Sequence, residues 1–223
     1  MKRTKLRNRT LPAYTKGEEL ANMITHIAGG AIGILVLTYA LVFSISKGDA
    51  WRIVSGSLYG LSFISLYTIS SVYHGLRTNL SKKILQILDH CAIYLFIAAT
   101  YTPVLFCAMR PSYPGYAWIL TALVWGLAAT AITLTAIDLK KYDKLSMICY
   151  IGMGWLILIA IKPLMDTLPL TGFILLLLGG ILYSVGAVLY HIGKKFRYIH
   201  SVFHVFVLAG SILHALCILL YVL

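Results

Sequence analysis

Seven runs of more than twenty residues with almost no charge follow one another along this chain, separated by short basic clusters. Each is long enough for the roughly 20 residues that an α-helix needs to cross a bilayer. The pattern predicts helices at about residues 20–46, 51–75, 84–107, 116–137, 145–165, 170–192 and 199–222. Composition closes the soluble route. With 60% hydrophobic and 12% charged residues and a mean hydropathy of +0.86, a soluble domain of 223 residues would lack the core to hide its apolar surface. The expectation is an all-α integral membrane protein: a basic tail over residues 1–17 and one seven-helix transmembrane domain over residues 18–223.

The net charge of +12 invites a nucleic-acid reading, but the cations are distributed as a topology signal. Lys2, Arg3, Lys5, Arg7, Arg9 and Lys16 precede the first helix; Arg77, Lys82 and Lys83 follow the second; Lys140, Lys141 and Lys144 follow the fourth; Lys194, Lys195 and Arg197 follow the sixth. The alternate side carries only Lys47, Arg52, Arg110 and Lys162, so fifteen cations face four. Cytoplasmic loops carry the excess of Lys and Arg, which predicts a cytoplasmic N-terminus, an odd helix count and an extracytoplasmic C-terminus. Trp51, Tyr113, Tyr116 and Trp118 then fall at the outer interface, where amphipathic rings are favoured. The basic tail reads as a topology determinant that touches anionic lipid. It does not read as a cleavable signal, because the first apolar stretch is too long and no small-residue cleavage site follows a short apolar region.

Cys91, Cys107, Cys149 and Cys217 fall singly on different helices, with no C-x-x-C pair, and are expected to be free thiols. Gly29-Gly30-x-x-Gly33 and Gly56-x-x-x-Gly60 read as sites of close helix approach. No internal repeat or low-complexity stretch is visible, which weakens a transporter reading built on two related halves.

The informative residues are the polar ones inside these spans. Given the predicted orientation, Ser70 and His74 lie at the inner end of helix 2, Asp89 and His90 one or two turns into helix 3, and His200 and His204 at the start of helix 7. An ionisable group in hydrocarbon is costly and reads as functional by default. His200 and His204, four apart, share a helix face, and His74 supplies a third imidazole from helix 2. Three protein ligands with a fourth position open are the pattern of a catalytic zinc site; imidazole also suits copper, iron or nickel. The bland readings are interfacial histidines reaching for water, an Asp89 that is only a structural acceptor for backbone or Ser70, and a Ser70 bonded to its own helix. His26 is placed near Glu18, Glu19 and Asn22, either supporting the site from behind or as an interfacial residue. His191 reads as interfacial. His214 lies roughly 15 Å beyond His204 along the helix and reads as packed or channel-lining.

Taken in order, E-E-x-x-N-x-x-x-H (Glu18 to His26), S-x-x-x-H (Ser70 to His74), L-D-H-x-x-I-Y-L (Leu88 to Leu95), T-Y-T-P (Thr100 to Pro103) and H-x-x-x-H (His200 to His204) resemble the hemolysin III group of the progestin and adipoQ (adiponectin) receptor family. The resemblance runs from Glu18 to the C-terminus. It implies seven helices, a cytoplasmic N-terminus, zinc on His74, His200 and His204, and an Asp89 that holds the zinc-bound water. It also implies a bacterial-type member placed in the cytoplasmic membrane, because the longer N-terminal domain of the eukaryotic receptors is missing. Similarity to a wider group of membrane hydrolases that includes alkaline ceramidases suggests hydrolysis of a lipid amide or ester, with Asp89 as proton acceptor and Ser70 as donor to the developing oxyanion. The competing expectation is a non-enzymatic sensor or regulator of bilayer state with zinc as a structural clasp. A cytolytic pore comes third, since no charged stripe runs through the outer half of any helix. Membrane lipids are the expected partners, and nucleic acid is not.

Overall fold

The computed structural model of the chain describes residues 4–192 and 196–223, so Lys2, Arg3, Gly193, Lys194 and Lys195 lie outside the described residues. Seven long helices carry the fold: α1 Lys16–Lys47, α2 Ala50–Gly75, α3 Leu80–Met109, α4 Pro114–Asp138, α5 Asp143–Thr167, α6 Leu170–His191 and α7 Ile199–Val222. Each is long and apolar enough to span a bilayer; the shortest, at 22 residues, reaches about 33 Å against a hydrocarbon core of about 30 Å. No strand occurs among the described residues. The expected seven-helix membrane architecture is the one observed.

Two helices begin a turn earlier than their hydropathy indicates, because capping, not lipid, sets where a helix starts. Thr15 forms a reciprocal capping box with Glu18, which starts α1 at Lys16, and the Asn79 side chain accepts from the Lys82 N–H, which starts α3 at Leu80. Gly48 ends α1 in the left-handed conformation with φ 64°. Hydropathy places these ends about four residues inside the helix, where charge gives way to apolar residues.

Two helices are irregular. Pro103 is followed by a π-helical stretch over Val104–Met109 in α3. In α5 a 3-10 segment runs over Leu156–Ala160. There the Tyr101 hydroxyl donates to the Met153 carbonyl at 2.7 Å and accepts the Ile157 N–H at 3.0 Å, replacing part of the helix's own ladder. Pro163, which has no N–H to give to the previous turn, keeps the ladder from closing regularly just beyond.

Close packing positions the site. Along α1 and α2, an added methyl at Gly29 would lie 2.2 Å from the Tyr67 ring, and one at Gly60 would lie 2.7 Å from Leu37 Cα. Neither position has room for a side chain. Gly179 and Gly210 bring α6 and α7 together, with His214 filling the space that a methyl on Gly179 would take. Inside the bundle Tyr59, Phe63, Tyr67, Tyr94, Leu105 and Met109 are fully buried, while Leu35, Ile148 and Leu170 on the outer faces are at least two-thirds exposed. In water such surfaces would aggregate; against lipid they are solvated.

The two ends of the bundle differ. At the end where α1 finishes, Trp51 packs on Phe106 and Trp118, and the Arg110 guanidinium sits 4.4 Å from the Trp51 ring. Across the opposite end runs the N-terminal segment, tied down by the Thr4 N–H to Asp138 at 2.7 Å and by Lys83 Nζ to the Arg7 carbonyl at 2.7 Å. Arg9 is buried there.

Candidate metal centre

The last turn of α2 and the first two turns of α7 meet at the end of the bundle crossed by the N-terminal segment. Glu18 helps to fix that junction: while capping α1, it also accepts the backbone N–H of Tyr198 at 2.9 Å, just before α7 begins. Tyr198 holds φ 62°, a left-handed conformation uncommon for a bulky residue, as the chain turns into α7.

His74, His200 and His204 come together. One ring nitrogen from each lies within 4.8 Å of the others, and the Nε2 atoms of His200 and His204 are 3.2 Å apart. Nitrogens held 2.0–2.1 Å from a tetrahedral zinc stand about 3.3 Å from one another, so this pair already has ligand spacing.

The other face of each ring supports that use. His74 Nδ1–H donates to Glu19 Oε2 at 2.6 Å, leaving Nε2 as the lone-pair nitrogen, and that atom is buried without a protein partner. His204 Nδ1 faces the Asn22 carbonyl at 3.4 Å and the Thr25 hydroxyl at 3.5 Å, which turns its Nε2 towards His200. Asn22 is itself held by the Ser201 hydroxyl at 2.6 Å. Tyr14, from the N-terminal segment, stacks on His200 with ring centroids 4.9 Å apart. Metal-binding histidines nearly always bond their second nitrogen to a carboxylate or carbonyl, so the donor set fits a metal ion.

Beside the histidines opens a cavity of about 190 Å³, with Ser70, Asp89, His200 and His204 on its wall among largely apolar side chains such as Ile93, Phe96, Phe203 and Val207. Asp89 is half-buried and does not belong to the three-histidine set. Among the described residues neither Asp89 nor Ser70 has a side-chain hydrogen bond, whereas Ser57, Ser65 and Ser211 all donate to the carbonyl four residues back. A smaller void of about 80 Å³ at the interruption of α5 shares Thr100, Tyr101, Trp155 and His214 with the first.

The remaining histidines separate. His26 is buried and stacks on His204 at 3.8 Å between centroids, with neither nitrogen hydrogen-bonded. Glu19 supports His74 and Asn22 faces His204, while His26 meets the site by stacking on His204 and not through a hydrogen bond. His90 Nδ1 donates to the Gln86 carbonyl at 2.8 Å, and its ring lines the cavity. His191 is exposed at the end of α6. His214 Nε2 donates to the Leu176 carbonyl at 3.0 Å, and the ring packs edge-on to Tyr183 while lining both voids. The four cysteines are free, as expected, though only Cys217 is fully buried.

Tyr14 and the Glu19 link to His74 were not legible beforehand. Glu19, Asn22 and His26 do lie on one stripe of α1 at spacings of three and four, but spacing along one helix does not say which neighbour the stripe meets. Tyr14 lies outside the spans, and burial, reinforced by Tyr190 and Glu19, pushes its phenol above the ordinary value.

Seven apolar helices, with three convergent imidazoles beside a cavity, define an integral membrane protein with a candidate metal centre. The chain belongs to the haemolysin-III related family, whose model matches residues 14–215. It is 42% identical to Hemolysin-3 of Bacillus cereus over 92% of both chains, and 42% identical to the Hemolysin-3 homolog of Bacillus subtilis (strain 168) over 93% of this chain and 96% of that one. It is also 27% identical to the human Monocyte to macrophage differentiation factor, over 62% of this chain and 58% of the relative.

Proposed function

We propose that the protein is a zinc-dependent membrane hydrolase acting on a lipid amide or ester, with zinc held by His74, His200 and His204, and that this site lies at the cytoplasmic end of the bundle. The observation that carries the reading is a three-imidazole cluster, two of whose members, His200 and His204, share one apolar cavity with Asp89 and Ser70. A purely structural clasp needs no cavity beside its ligands and no uncommitted carboxylate facing it.

Zinc held by His74, His200 and His204 would supply Lewis acidity, activating water and polarising a carbonyl. The chain supplies the rest. Asp89 accepts the proton of the attacking water and returns it to the leaving amine or alcohol. Ser70 donates its hydroxyl hydrogen to the carbonyl oxygen as negative charge develops there. The apolar wall takes the acyl chain, and Tyr14 covers His200 on the side crossed by the N-terminal segment. The cationic bias of that end supports a position on the cytoplasmic side of the membrane.

The test is to reconstitute the purified protein in bilayers, measure its metal content and offer a panel of ceramides, acyl amides and phospholipid esters. About one zinc per chain and release of fatty acid that stops on chelation are expected. Stoichiometric zinc without turnover on any of these lipids would overturn the hydrolase and favour a sensor of bilayer state with clasping zinc.

A further inference from the structure

Glu19 holds two partners at once. Its Oε2 accepts the Nδ1–H of His74 at 2.6 Å, and its Oε1 accepts from Lys82 Nζ at 2.6 Å. Lys82 is only 4% exposed, and its ammonium also donates to the Leu76 carbonyl at 2.9 Å and lies 5.2 Å from the Tyr73 ring centroid. The three groups come from three elements: the first turn of α1, the last turn of α2 and the first turn of α3. A buried ammonium is costly unless paired, and so is a carboxylate; here each neutralises the other, and the second carboxylate oxygen is left to a histidine.

We propose that the Lys82–Glu19 pair is the positioning device of the metal centre. It fixes His74 in the tautomer protonated at Nδ1 and aims Nε2 at the other two imidazoles. The inference rests on reading the three histidines as a zinc site. Lys82 holds Glu19 anionic and in place, so its effect reaches the metal only through Glu19 and His74. Losing such a carboxylate behind a ligand histidine typically lowers metal affinity about 10- to 100-fold. A merely structural ion pair predicts a different result, because replacing a buried pair with apolar or neutral groups of similar size is often neutral for stability and would leave the metal undisturbed.

The experiment compares the full-length wild type, Glu19→Gln, and Glu19→Gln combined with Lys82→Met, all in bilayer nanodiscs. Zinc affinity is measured by chelator competition, the visible spectrum of the cobalt-substituted protein reports ligand geometry, and thermal unfolding is followed on the metal-free forms. Glu19→Gln is expected to lower metal-free stability, because it strands the Lys82 ammonium. The double variant, with no stranded charge, is expected to recover that stability yet still bind zinc about 10- to 100-fold more weakly and show an altered cobalt spectrum. A double variant with wild-type zinc affinity and an unchanged cobalt spectrum would overturn the positioning role while leaving the zinc site intact. A wild type that takes up neither zinc nor cobalt would overturn the zinc reading and this inference with it.

Discussion

The imidazole of His26 lies nearly face to face with that of His204, centroids 3.8 Å apart and planes 26° from parallel, while Tyr67 closes on its other side at 4.9 Å. Gly29 creates the room on α1 for the Tyr67 ring, so a glycine in one motif helps to position a histidine of another. With both nitrogens of His26 unpartnered in a buried setting, the ring serves the site by its shape.

His26→Phe should therefore keep the zinc content of the wild type and stay within about 1 kcal/mol of its stability, because a ring of similar form replaces one with no hydrogen bond to lose. His26→Ala should cost about 2–4 kcal/mol, through the cavity left between Tyr67 and His204. Zinc analysis with thermal unfolding of both variants decides the point. Zinc lost from the phenylalanine variant would mean that a His26 nitrogen serves the metal.

The Tyr101 hydroxyl replaces helix hydrogen bonds in α5, and its ring helps to line both voids. Tyr101→Phe leaves the Ile157 N–H and the Met153 carbonyl without that partner and should destabilise the protein by about 1–3 kcal/mol. Zinc content should be unchanged, since the histidines sit on α2 and α7. A variant as stable as the wild type would show that α5 regains a regular ladder without the hydroxyl.

Much of this was legible in the chain because membrane helices announce themselves by length and apolarity. The H-x-x-x-H of His200 and His204 reads directly as a shared helix face, and His74 joins it once helix direction is assigned. Hydropathy cannot register what lies beneath it. The early starts of α1 and α3 depend on Thr15 and Asn79, polar side chains outside the apolar runs. Glu19 looks from its spacing like a companion of His26, yet it reaches across to α2, because the α1–α2 packing turns that stripe towards His74. The interruption in α5 depends on a hydroxyl from α3, a contact between residues 56 apart.

Orientation across the bilayer has its own measurement. Since fifteen cations flank one side and four the other, a reporter fused after Leu223 should be active only if it is of the extracytoplasmic type, and one inserted at Tyr142 only if cytoplasmic. The reverse pattern would move the histidines to the outer leaflet.

Asp89 separates enzyme from clasp. It lines the cavity with no side-chain hydrogen bond among the described residues and stands outside the three-histidine set, so its loss should leave the metal in place. Asp89→Asn preserves shape and removes the proton acceptor, whereas His74→Ala removes a ligand and leaves Glu19 with Lys82 alone. If the protein is a hydrolase, Asp89→Asn should retain near-normal zinc and thermal stability while lipid turnover falls by roughly 100-fold or more, the scale on which proton-transfer catalysis contributes. His74→Ala should lose zinc and stability together. A clasp predicts instead that stability tracks zinc content across every variant and that the wild type releases no fatty acid from any lipid offered. That outcome would leave Asp89 without a catalytic role and move the function to sensing or adjusting the bilayer.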